Sequence, residues 1–150
     1  MKPNEPLDFD PQQALKALTR KRLRLLWEKA QLNVPLADDE ARQVAIMREH
    51  PEYNDLWGQL DVLSDEEIEQ VGHNPILHVM IHEVVENQLA LDNPPEMRRV
   101  FDTLLRRGLP RHEVVHRVGS IVTELLYDTL KNQRPYNERA YVRKLRRLVR

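Results

Sequence analysis

The sequence contains no cysteine. Disulfides and thiolate metal sites are therefore excluded, and any transition ion must be held by imidazole and carboxylate. Glycine is scarce, with four in 150 residues. Alternating β-branched runs are also scarce, and no Asn-Gly or Asp-Gly pair marks a hairpin. Aromatic residues make up 5% of the chain, which leaves no stacking platform for single-stranded nucleic acid. No apolar run approaches the roughly 20 residues of a membrane span, so no membrane association is expected. The leading MKPNEPLDFD has no apolar segment of the secretory kind, and cytoplasmic location is the default expectation.

What is present is a well-solvated chain, 41% hydrophobic and 31% charged, long enough to bury a core as one domain. The net charge of −1 hides an uneven distribution. Lys16, Arg20, Lys21, Arg22, Arg24 and Lys29 make one basic stretch, and the closing ERAYVRKLRRLVR makes another. Residues 38–69 between them are strongly acidic. A nucleic-acid patch at the basic ends is one reading. The balanced total charge argues against it, and mutual neutralisation with the acidic middle is preferred.

Caps and prolines divide the chain into helices. Residues 1–10 are expected to be a flexible lead, and Asp10-Pro11 is an N-cap followed by proline at the first helical position. A helix is expected from there to about Gln31, with Leu15, Leu18, Leu25 and Leu26 as its core stripe. Further helices are expected at about Asp38 to Glu49, Tyr53 to Leu60 and Asp65 to Val71, the last opened by a Ser64/Glu67 capping box. Asn74-Pro75 opens PILHVMIHEVVENQLAL, and Pro95 opens EMRRVFDTLLRR, which Gly108 closes. Pro110 opens the longest remaining helix, and Asn137 caps a last one to Val149. The expected fold is all-α, a single helical domain over residues 11–150 with six or seven helices.

Four of the six histidines are paired at i, i+4, as His78 with His82 and His112 with His116. That spacing puts each pair on one face of its helix, one turn apart, where two imidazoles can close on one ion. Glu86 continues the first pair at the same interval. Two such helices side by side could supply three or four nitrogen ligands and a carboxylate. At about 100° per residue, Leu77, Met80, Ile81, Val84, Val85 and Leu91 share one arc of the first helix, with His78 and His82 just beyond its edge. In the second, the arc is Val114, Val115, Val118, Val122, Leu125 and Leu126, with His112 and His116 at the equivalent edge. Gly119, Ser120 and Thr123 continue that histidine face. Histidine also occupies such borders for packing and hydrogen bonding alone, with no metal.

Residues 112–116, HEVVH, match the HExxH signature of zinc peptidases, in which the glutamate acts as base. Glu113 is the candidate catalytic residue on that reading. The chemistry also needs a third ligand and an open coordination position. The following RVGSIVTELL carries neither the metzincin extension nor an NExxxD pattern, and Glu124 projects away from the histidine face. A third ligand from His78, His82 or Glu86 is easier to place.

The stretches NPILHVMIHEVVENQLALDNPP and HEVVHRVGSIVTELLYDTLKNQRP, with the closing YVRKLRR, resemble the bacterial DUF1841 family, a domain of unknown function. The likeness lies in an NPxLHxxxHxxxxxQ pattern, here Asn74, Pro75, Leu77, His78, His82 and Gln88, followed by a proline-rich turn and the HExxH-type segment. It covers about the last two thirds of the chain. It implies a small helical bacterial protein in which the paired histidines are family features, and it brings no activity.

Two functions follow from the residues. The first is binding of a divalent transition metal, zinc favoured, by His78, His82, His112 and His116 with Glu86 in support, with enzymatic activity left open. The second is a non-catalytic interaction module with structural histidines, whose partner is another protein or a second copy.

Overall fold

The computed structural model describes residues 10–69 and 74–150, and every regular element among them is helical. The helices are α1 (Pro11–Gln31), α2 (Asp38–Arg48), α3 (Asn54–Trp57), α4 (Asp65–Glu69), α5 (Pro75–Leu91), α6 (Pro95–Arg106), α7 (Arg111–Lys131) and α8 (Glu138–Arg147). A 3-10 turn at Pro51–Tyr53 precedes α3. The count exceeds the expected six or seven by at least one, and the all-α class holds. Most of the expected lead, and the last two residues expected in α4, lie outside the described residues.

The caps that ended helices in the sequence do so in space. The Asp10 carboxylate accepts from the Gln12 and Gln13 amides at 2.9 and 3.4 Å, and the Asn137 amide oxygen accepts from Ala140 N at 3.2 Å. The Glu67 amide donates to Ser64 Oγ at 3.2 Å. Each cap oxygen accepts from amide donors that a helix start leaves unmatched. Gly108 ends α6 with φ +89°, a conformation costly for any residue with a Cβ.

The chain forms two compact units, Met1–Pro75 and Ile76–Arg150. In the first, Leu23, Leu26, Trp27 and Ala30 of α1 are buried, as are Val44, Ile46 and Met47 of α2 and the aromatic pair Tyr53 and Trp57. The expected α1 stripe is corrected at three of its four positions, and only Leu26 is buried. Leu15 and Leu18 are both 66% exposed, and Leu25 is also exposed. The buried positions follow an i, i+3, i+4, i+7 pattern that starts only at Leu23, where α1 meets α2 and α3. The basic face of α1 is matched inside this unit. Arg20 and Lys16 pair with Asp65, Arg24 with Asp61 at 2.8 Å, and Lys29 with Glu40 at 3.3 Å. These pairs use four of the cations that sequence offered to a nucleic acid, as neutralisation predicts. The Asp65 carboxyl is held below the ordinary carboxylate range, first by the hydrogen bond from Arg20 and then by that from Lys16.

In the second unit α6, α7 and α8 pack on one another, and α5 joins their core. Ile81, Val85 and Leu89 of α5 meet Met97, Val100, Phe101 and Leu104 of α6, Val114, Val115, Val118, Ile121 and Val122 of α7, and Tyr141 and Leu145 of α8. The Tyr141 hydroxyl donates to Gln88 Oε1 at 2.5 Å, which ties α8 to α5 and gives the glutamine of the family-like pattern a structural task. At Gly119 a Cβ would lie 2.9 Å from Ile81 Cγ2, so the absence of a side chain is what lets α7 approach α5 this closely.

Candidate metal centre

α5 and α7 run antiparallel at the histidines. His78 meets His116, His82 meets His112 and His116, and Glu86 meets Arg111. The four imidazoles that sequence placed on two separate helices are thus in one cluster. Ring centroids are 4.7 Å apart for His78 and His82, 4.9 Å for His78 and His116, and 4.9 Å for His82 and His116. They are 5.1 Å apart for His82 and His112, and 4.2 Å for His112 and His116. Ring nitrogens of His78, His82 and His116 lie within 4.8 Å of one another, as do those of His82 and His112.

These separations have a direct reading. With metal–nitrogen bonds of about 2.0–2.1 Å, each ring centroid stands about 3.2 Å from the ion, and tetrahedral neighbours are about 5 Å apart. The five centroid distances fall around that value. The nitrogens need to draw in by up to roughly 1.5 Å to reach the spacing of ligands on one ion, a movement within the reach of side-chain rotation.

Burial differs from the expectation on α5. His82 is 2% exposed, and its Nε2 is buried. His78 is half-buried. Leu77, Met80, Val84 and Leu91, four of the six residues in the expected core arc, are exposed instead. α5 is apolar on most of its circumference, so helical projection does not single out one face. Ile81, Val85 and Leu89 enter the core with α6, α7 and α8, His82 is buried against His112 and His116 of α7, and Val79 is buried as well. On α7 the border position holds, with His112 and His116 half-buried beside the buried Val114, Val115 and Val118. Leu126, at the far end of the expected arc, is 40% exposed. Ser120 and Thr123 turn their hydroxyls back to the His116 and Gly119 carbonyls, at 3.0 and 2.9 Å.

Glu86, Glu113 and Glu124 are each paired with a cation. Both Glu86 oxygens accept from the Arg111 fork, at 2.6 and 2.8 Å. Glu113 is exposed and pairs one turn along with Arg117, at 2.5 Å. Glu124 is 2.6 Å from Lys144, consistent with its projection off the histidine face. Sequence spacing showed that Glu86 and Glu113 were available. It did not show Arg111, whose importance depends on the antiparallel meeting of two helices.

No curated protein and no solved structure matches the chain. A family model does match, described as Domain of unknown function (DUF1841), over residues 16–147. The match reaches back into α1, beyond the two thirds that the histidine stretches and their flanks suggested. It spans most of the chain, and the protein belongs to this family.

Proposed function

We propose that this protein binds one divalent transition metal ion through His78, His82, His112 and His116. The observation that carries the reading is the set of five ring separations between 4.2 and 5.1 Å. Packed ring pairs alone reach such separations, but here four imidazoles from two helices gather in one cluster at the spacing of ligands around an ion. Zinc is favoured because it accepts tetrahedral nitrogen ligation, with nickel and iron as the alternatives. If the ion also supports catalysis, Glu113 is the candidate base, and it would have to leave Arg117 to reach a metal-bound water.

Metal analysis of the purified protein tests it, in wild type and in the double variant His82→Ala, His116→Ala. About one equivalent is expected in the first and a trace in the second. Equal and negligible metal in both refutes the proposal.

The exposed apolar residues of α5 favour a second reading, self-association. Leu77, Met80, Val84 and Leu91 recur at roughly heptad spacing on the outward side. Light scattering across a concentration series, with Met80→Glu and Val84→Glu as controls, separates the readings. A monomer at all concentrations argues against this one and leaves metal binding untouched.

A further inference from the structure

The inference deepens the metal-site reading and rests on it. We propose that Arg111 determines which ions the site accepts, by holding the Glu86 carboxylate out of the coordination sphere. Glu86 stands one turn beyond His82 on the same helix face, where a carboxylate would ordinarily complete a histidine pair. A carboxylate among imidazoles opens a site to harder ions such as manganese, whereas imidazoles alone favour zinc, cobalt and nickel. Both Glu86 oxygens are instead bound by the planar Arg111 fork, at 2.6 and 2.8 Å.

The fork itself is fixed from a third helix. Arg111 is the first residue of α7, next to His112, and its guanidinium carbon lies 5.3 Å from the centroid of the buried Phe101 ring of α6. The Glu86 side chain is 18% exposed and that of Arg111 50%, so the carboxylate is shielded from water while the guanidinium is half open to it. Lysine could supply the charge at this position but not two parallel bonds. Arg111 binds the Glu86 carboxylate that the sequence offered to the ion. It acts through Glu86, and so it is a specificity-determining residue rather than a ligand.

Cobalt(II) and manganese(II) titrations of full-length protein test the inference, with the cobalt visible spectrum as a direct view of the ligand set. Glu86→Gln should leave that spectrum unchanged. Arg111→Ala should raise manganese affinity relative to cobalt by about tenfold or more, and should shift the spectrum toward higher coordination. Arg111→Lys, the milder change should Arg111→Ala fold poorly, should move both in the same direction. Adding Glu86→Gln to either variant should cancel the shift, which a merely loosened helix would not do. A spectrum altered by Glu86→Gln alone would make Glu86 a ligand in the wild type and overturn the proposal. Unchanged selectivity in both Arg111 variants overturns it too. A wild-type protein that takes up no cobalt overturns the metal reading beneath it, and this inference with it.

Discussion

Gly119 offers the sharpest test of how the two histidine helices are brought together. A methyl group there would stand 2.9 Å from Ile81 Cγ2, against about 3.5–4.0 Å for unstrained carbon atoms. The shortfall is therefore roughly 0.6–1.1 Å. Ile81 is β-branched and buried, so its rotamer gives little, and α5 and α7 must move apart. Overpacking of this kind costs about 1–3 kcal/mol, while alanine in place of a mid-helix glycine returns about 1 kcal/mol. The expected net loss of stability for Gly119→Ala is thus about 0–2 kcal/mol by denaturant unfolding of the metal-free protein. Metal affinity should suffer more. His82 follows Ile81 directly, and His116 lies one turn before Gly119, so any widening is transmitted to nitrogens that need to draw inward. If about 1.4 kcal/mol must be spent on reclosing the gap, affinity falls tenfold, which calorimetric titration with zinc resolves. Gly119→Ala combined with Ile81→Ala removes the colliding methyl and should recover much of the affinity despite the cavity it leaves. Wild-type affinity in Gly119→Ala would refute the reasoning, because the close approach would then not govern the site.

Two further outcomes test the packing. Burial raises the Tyr141 phenol well above its ordinary value, and the neighbouring Tyr136 acts in the same direction. The folded state therefore keeps this proton when the unfolded chain would lose it. Stability from this group is fully present below about pH 10 and declines as pH rises beyond it, so Tyr141→Phe should flatten the alkaline unfolding limb. An identical slope in both proteins contradicts that account. In α1, Leu15→Ser and Leu18→Ser should each change stability by under about 0.5 kcal/mol, whereas Leu26→Ala should cost about 2–5 kcal/mol, both read from denaturant midpoints. A large loss at Leu15 or Leu18 would show that the first turns of α1 are packed.

The sequence by itself determined most helix boundaries and the all-α class. Those features are set locally, by Asp10, Asn137, Pro95 and Gly108 acting on backbone groups within a turn of themselves. It also paired the histidines, since i, i+4 neighbours on a helix need no tertiary information. It could not choose the inward face of α5, because that helix is apolar nearly all round and its amphipathic signal is weak. Nor could it assign partners to Glu86 and Glu113, which a spacing rule shows only as available. Tertiary structure decided both. The small Gly119 lets α7 lie against Ile81, the antiparallel crossing sets His78 and His82 against His116 and His112, and the same crossing delivers Arg111 to Glu86. Local chemistry fixed which side chains each helix carries. Only the packing of one helix on another fixed which of them meet.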